Sequence, residues 1–513
     1  MNQREFVDGI SEIDEELLER SEKNREVASA GDVEEKPQPG KTRHPWRRAG
    51  IIAAAILCVA GASAILWHGG RKPVSEVQEG TYGHDPYLVS APKYPEVMKA
   101  PRYEDFDQNG DGIYDQEENA AFLQADKEYQ EKIIGQKSID GYDREIGKAR
   151  IWEFHAKVAQ QFLEERDHEN KLYSPLNVYV ALGMLAEASE GNTRKQVLEL
   201  LGIKNVEALR VQIKGAWNMV YKEDKMKSVL ASSIWLRDDL PYRKETLDVM
   251  ARDYYASSYA GKMGSEEYSQ AYVNWLNEQT GGLLKEQIDG LVLSPETVMS
   301  LATTVYFDAK WSSPFNANET KPGVFHAAEG DVQRDFMNRS GAGGYFYGDH
   351  FGAIQKFFDG GASMMLVLPD EGVSPYDLLT DEQVLDFLEK GSDYENKKQM
   401  FIHESIPKFD VASDRDLTGE LKKLGITDAF EKGTADFSPV SDAVKDLWIS
   451  KIEHGVRVIA NEEGVKAAAY ATVSDIGAAM PPEDAIYFTL DRPFLFVINV
   501  SGVPVFVGIV ENP

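Results

Sequence analysis

One stretch divides this chain before any fold is considered. From Ala49 to Trp67 it runs Ala-Gly-Ile-Ile-Ala-Ala-Ala-Ile-Leu-Cys-Val-Ala-Gly-Ala-Ser-Ala-Ile-Leu-Trp, with no charge inside. Nineteen helical residues reach about 28 Å, enough for a hydrocarbon core of about 30 Å. Lys41, Arg43, Arg47 and Arg48 precede the run, and Arg71 and Lys72 follow it. The positive excess on the N-terminal side puts that side in the cytoplasm. The expected layout is a polar cytoplasmic tail (1–48), a transmembrane helix (49–67) embedded in the lipid bilayer, and a linker (68–100). The rest lies outside a cell membrane crossed once. A cleaved signal peptide is the competing reading, since Ala62-Ser63-Ala64 has the small residues of a processing site and would leave a soluble form beginning at Ile65. The long polar lead and the apolar continuation through Ile65, Leu66 and Trp67 favour the anchor. Leu57, bulky and directly before Cys58, disfavours a lipid on that cysteine.

Charge and cysteine count then exclude whole classes. The formal net charge is -30, which repels phosphate backbones, so nucleic acid is not an expected partner. Cys58 is the one cysteine, so the large outer region folds without an intramolecular disulfide or a thiolate metal cluster.

Residues 101–130 carry a calcium-type pattern. In the run Phe106 to Glu118, oxygen donors stand at every position that an EF-hand loop uses. Asp107, Asn109 and Asp111 offer side-chain oxygens, Ile113 its carbonyl, Asp115 a water-bridged carboxylate and Glu118 both of its oxygens, while Gly112 allows the sharp turn. Phe106 and Phe122 are placed to pack the flanking helices, of which the outgoing one, from Gln116 to about Gln130, is the better formed. A solvated acidic linker is the plainer alternative. A structural Ca2+ is expected here, and no catalytic cofactor anywhere.

Four groups of motifs mark residues 148–513 as one domain. Tyr173-Ser174-Pro175-Leu176-Asn177 leads to Glu190-Gly191-Asn192-Thr193. Asn274-Trp275-Leu276-Asn277 precedes Thr280-Gly281-Gly282, and Val305-Tyr306-Phe307 precedes Lys310-Trp311 and Pro314-Phe315. Glu462-Glu463-Gly464-Val465-Lys466-Ala467-Ala468-Ala469 comes before Asp491-Arg492-Pro493-Phe494 and the end Gly508 to Pro513. Together, and in this order, they resemble the serpin family of suicide protease inhibitors. The resemblance implies an α+β fold: three β-sheets, surrounding helices and an exposed reactive-centre loop.

The residues themselves agree where it matters. From Val465 the chain alternates, with Val465, Ala467, Ala469, Ala471 and Val473 on one face and Lys466, Ala468, Tyr470, Thr472 and Ser474 on the other. Period two with a small apolar face is a half-buried strand, yet the stretch lies in a connection rich in small residues. A segment that is loop-like by composition and strand-like by pattern suggests two states. The resemblance makes Glu462 to Ala469 the hinge of a loop that inserts into a sheet after cleavage. Family spacing puts the scissile bond at Ala478–Ala479, or one residue later. Alanine before the cut suits an extracellular serine protease with a small S1 pocket, elastase-like or subtilisin-like. A non-inhibitory serpin serving as a surface scaffold is the alternative. Asp475 is awkward, because the alternation turns it inward late in insertion.

The resemblance also assigns structural roles. Ser174, Asn177, Thr303 and His454 fall where the family holds the middle of the main sheet, with Asn177 and Thr303 departing from its usual serine and asparagine. An exchange keeping one amide and one hydroxyl around the His454 imidazole is expected. Lys408 and Glu462 fall on the pair that closes the sheet near Trp311. No His-Glu-x-x-His, Gly-x-Ser-x-Gly or phosphate-binding loop occurs, and Ser174 with His454 stands in strand and helix-start contexts, so an enzyme is not expected.

Overall fold

Leu172-Tyr173-Ser174-Pro175 sets the first constraint, because it ends a strand and starts a helix within four residues. Ser174 is extended, its Oγ accepts the Asn177 N–H, and Pro175 takes the first helical position, where no donor is needed. The helix that follows, Pro175–Ala188, is buried on every side, in keeping with a sequence apolar at nearly every position apart from Asn177 and Glu187. The structure, a computed structural model, describes residues 85–96, 101–102, 105–107, 115–163, 167–288, 290–441, 447–449, 452–465 and 484–513. Several expectations fall outside the described residues: the tail, the apolar run 49–67, the ligand positions Asn109, Asp111 and Ile113, the hinge residues Lys466, Ala467, Ala468 and Ala469, and Ala478–Ala479. Among the described residues no helix is long and apolar enough to cross a membrane.

The first strands are β1 (Leu88–Ser90), β2 (Lys171–Tyr173), β3 (Lys222–Glu223), β4 (Lys227–Arg237), β5 (Ala256–Gly261) and β6 (Met299–Lys310). Next come β7 (Lys321–Ala327), β8 (Gly330–Tyr347), β9 (Phe351–Phe358), β10 (Ala362–Pro369), β11 (Lys397–Pro407) and β12 (Phe409–Asp416). The last are β13 (Glu453–Ala460), β14 (Gly464–Val465), β15 (Ala485–Thr489), β16 (Phe494–Val500) and β17 (Val503–Val510). The first seven helices among the described residues are α1 (Gln116–Lys137), α2 (Arg144–Leu163), α3 (Pro175–Ala188), α4 (Gly191–Leu201), α5 (Val206–Val220), α6 (Lys244–Asp253) and α7 (Glu266–Gln279).

These strands form two hydrogen-bonded sheets. One has eight strands, in the order β1-β5-β4-β6-β14-β13-β12 with β3 attached to β4. The other has nine, in the order β15-β11-β8-β9-β10-β16-β17-β2 with β7 attached to β8. The family resemblance implies three sheets, and among the described residues the strands form two. The reason lies in β8, which pairs with β7 and β11 along most of its length and then with β9 through Tyr345–Tyr347, so two expected sheets run into one another. At the chain's end, β16 and β17 are buried throughout and are joined by Ser501 and Gly502, both at positive φ, the backbone a two-residue hairpin turn needs.

The eight-stranded sheet separates two apolar clusters. On β4, Leu230, Ile234 and Leu236 face the main core, which includes α3 and α5, while Ala231 and Trp235 face a second cluster built with Tyr268, Tyr272 and Trp275 of α7. The period-two alternation of the strand thus fills both faces.

Candidate functional site

The site is the line along which β6 and β13 face each other. Both pair with the two-residue strand β14, and among the described residues neither pairs with the other. Gly464 and Val465 align with Lys310 and Ala309 of β6, and Val465 aligns with Ala460 of β13. Val465 is 2% exposed, so the first inward residue of the alternating stretch is already inside the sheet.

A turn before β14 delivers it there. The Asn461 side chain accepts the N–H groups of Glu463 and Gly464, and the Asn461 N–H donates to the Gly464 carbonyl. Glycine is required at 464: its φ is 158°, and a Cβ would lie 2.1 Å from the Ala309 carbonyl oxygen. Trp311 ties this turn to β6. Its backbone N–H donates to the Glu463 carbonyl and its indole N–H to the Asn461 carbonyl, each at 2.9 Å, while its ring stacks on Phe358 with centroids 4.2 Å apart. The Lys408 ammonium stands 3.3 Å from the Glu462 carboxylate, which also accepts the Thr320 hydroxyl. Burial alone raises the Glu462 carboxyl, but its own N–H, Thr320 and Lys408 hold it below the usual carboxylate range.

An ion pair beside this turn, its lysine buried and its carboxylate partly so, has no counterpart among the sequence expectations. Lys356 of β9 bonds Glu404 of β11, and its ammonium lies 4.4 Å from the Phe315 ring centre. Burial pushes that ammonium below its usual range, against the opposing pull of Glu404. A lysine among Ile354, Gln355, Phe357 and Phe358 is the available signal, but the partner comes from another strand.

In the middle of the sheet the structure brings Ser174, Asn177 and His454 together in part. The Ser174 backbone N–H donates to His454 Nε2 at 3.0 Å, which makes that nitrogen an acceptor. The Ser174 hydroxyl instead caps α3, so the two do not form a nucleophile–base pair. The exchange expected around the imidazole is not formed either. Both amide atoms of Asn177 are buried without a hydrogen-bond partner, and Thr303, also buried, makes no hydrogen bond to His454 among the described residues. Burial, with Arg415 nearby adding to it, lowers the His454 imidazole to about 4.

At the calcium-type segment the described residues show the flanks of the loop. Asp115 caps α1, accepting the N–H groups of Glu117 and Glu118, and Glu118 accepts the Asp115 N–H in return at 3.0 Å. The Phe106 and Phe122 rings meet edge-on at 5.9 Å, as their spacing predicts. Among the described residues no group of three or more potential metal ligands converges.

The comparisons match this architecture. Residues 150–513 match the family model "Serpin (serine protease inhibitor)", and the chain belongs to the serpin family. Glia-derived nexin of Mus musculus is 27% identical over 373 residues, covering 70% of this chain and 91% of the relative. Plasminogen activator inhibitor 1 of Bos taurus is 27% identical over 399 residues, covering 74% and 96%. The crystal structure of the thermophilic serpin tengpin in its native state, 26% identical, superposes with a TM-score of 0.64 over 73% of this chain and 96% of that one. The protein is a serpin-type inhibitor rather than an enzyme.

Proposed function

We propose that the protein is a suicide inhibitor of an extracellular serine protease with a small S1 pocket, displayed on a membrane. The observation that carries the inhibitory reading is Val465, buried between β6 and β13 at the head of a line where, among the described residues, those two strands do not pair with each other. The protease serine oxygen attacks the Ala478 carbonyl carbon. The Ala478–Ala479 bond breaks, Ala479 leaves as a free amine, and Ala478 stays esterified to the protease. The freed loop then adds strand after β14, and about 15 residues at about 3.3 Å each move the ester some 50 Å. Water attacking the ester is the competing route, so insertion must be the faster step. Small inward residues (Ala467, Ala469, Ala471) suit that speed.

The test uses an elastase-like and a subtilisin-like protease. Expected are a covalent complex that survives denaturing electrophoresis and a C-terminal fragment beginning at Ala479. A fragment beginning at Met480 would move the bond by one residue. Cleavage without complex would assign the surface-scaffold reading instead. Display is tested on intact cells, where external protease should shed the large domain and spare the tail before Ala49. A soluble form beginning at Ile65 would replace the anchor by a cleaved leader.

The segment 101–130 fits calcium by its donors. Asp107, Asn109, Asp111, the Ile113 carbonyl, Asp115 and Glu118 are the residues that would hold the ion, and the capped helix start supports that arrangement. Glu118→Gln should weaken calcium binding at least tenfold by calorimetry on the full chain. No binding heat at millimolar calcium in the parent would remove the site.

A further inference from the structure

The stretch Asp85–Glu96 lies upstream of every family motif, yet it is built into the eight-stranded sheet. Asp85 accepts the Tyr87 N–H on its side chain, a local turn that launches β1. β1 runs antiparallel to β5, with Leu88 opposite Tyr259 and Ser90 opposite Ser258, and the Ala260 N–H donates to the Tyr87 carbonyl at 2.8 Å. It is the outermost strand of the sheet and covers what would otherwise be the β5 edge.

Its aromatic residues then grip both faces. The Tyr87 ring lies 4.9 Å from Tyr268 of α7, and Tyr87 and Leu88 join the cluster between α7 and the sheet. Tyr94 packs on the opposite cluster. Its ring lies 5.1 Å from Trp217 of α5 and 5.9 Å from both Tyr221 and Tyr255. The Trp217 indole in turn donates to the Leu230 carbonyl of β4. Twelve residues thus fasten together the sheet edge, the helix over one face and the helix under the other.

Growth of β14 into a full strand requires β6 and β13 to separate by about a strand width, some 4.8 Å, along their length. β6 is bonded to β4, β4 to β5 and β5 to β1, so the displacement is passed to the strand that this segment holds. We propose that residues 85–96 are an intrachain strap that clamps the edge of the sheet between α7 and α5 and slows its expansion. Loop insertion, on which this rests, then starts from a sheet restrained at the far edge from the slot.

The experiment follows expansion without a protease, in the full chain held in detergent. A fluorescent peptide copying residues 465–474 is offered as the missing strand, and its uptake is timed on native gels. Tyr87→Ser/Tyr94→Ser removes both rings, Tyr94→Ser removes one, and Tyr94→Phe keeps the ring stack. The strap predicts uptake at least tenfold faster in the double variant, an intermediate rate for Tyr94→Ser, and a rate within twofold of the parent for Tyr94→Phe. Tyr94→Ser alone carries the comparison if the double variant does not fold. A merely structural segment would lower the thermal midpoints of empty and peptide-filled forms alike and leave uptake unchanged. Equal uptake rates overturn the strap. If the parent takes up no peptide even near its thermal midpoint, the insertion reading fails first and the strap with it.

Discussion

Asn177 is the residue whose placement is hardest to justify by stability alone. Its amide nitrogen and oxygen are both buried without partners, although its backbone N–H is held by Ser174. A buried unpaired amide costs about 1–3 kcal/mol, and an apolar side chain of similar shape avoids that cost. Asn177→Leu should therefore raise the stability of the uncleaved protein by about 1 kcal/mol or more in urea denaturation. A loss of stability would mean that the amide is satisfied. The histidines give a second residue-scale prediction. Burial holds His155 and His454 near 4, against 6.5 ordinarily. Between those values the unfolded chain binds protons that the folded chain refuses. The stability conferred by the neutral rings is therefore complete above about pH 6.5 and drains away as pH falls towards 4, by about 3 kcal/mol for each ring. His454→Gln keeps an acceptor for the Ser174 N–H and should remove roughly half of this decline. Parallel urea midpoints at pH 7.5 and 4.5 in parent and variant would contradict it.

At the scale of elements, the proposed mechanism makes the hinge strand decide the outcome of inhibition. Val465 is the first side chain inside the slot, so Val465→Arg must bury a charge or pull β14 out of the sheet, at a cost of several kcal/mol. The proposed cut, at Ala478–Ala479, is many residues downstream in sequence and should be made as before. The variant is expected to change from inhibitor to substrate, losing the covalent complex at least tenfold while cleaved chain accumulates, and unchanged inhibition would refute insertion. Much at this scale is legible in the sequence. Val465 at the head of the alternation and Ser174 before Pro175 are local patterns, the rest of the alternation lying outside the described residues, and the Lys408–Glu462 pair follows from the family resemblance. β1 is not legible, because three residues are too short for a period-two signal and the segment around them reads as linker. The Lys356–Glu404 pair is hidden for a different reason: its partners lie on different strands, and only the sheet register joins them. The merging of two expected sheets has the same origin, since β8 changes partners along its length.

Across the whole molecule, the described residues of the uncleaved fold leave one line, between β6 and β13, bridged only by the two residues of β14. Among the described residues β6 and β13 share only β14, and buried hydroxyls of Ser232, Ser258 and Thr304 and the Asn177 amide lack partners. Under the proposed mechanism, cleavage at Ala478–Ala479 would free the loop to complete the sheet without any protease remaining bound. A strand of about ten residues would add on the order of ten ladder hydrogen bonds, at about 1 kcal/mol each. The inward face of Ala467, Ala469, Ala471 and Val473, beyond the already buried Val465, would contribute several kcal/mol more, and ordering the loop offsets part of the sum. A net gain on the order of 10 kcal/mol would move the thermal midpoint of a domain this large by roughly 10–20 °C, taking about 1–2 °C per kcal/mol. Calorimetry of the full chain before and after limited cleavage checks this directly. Val465→Arg, cut at the same bond, should show little of the rise, which separates strand insertion from mere relief of loop strain. A cleaved parent that melts where the intact parent melts would mean that the alternating segment never becomes a strand.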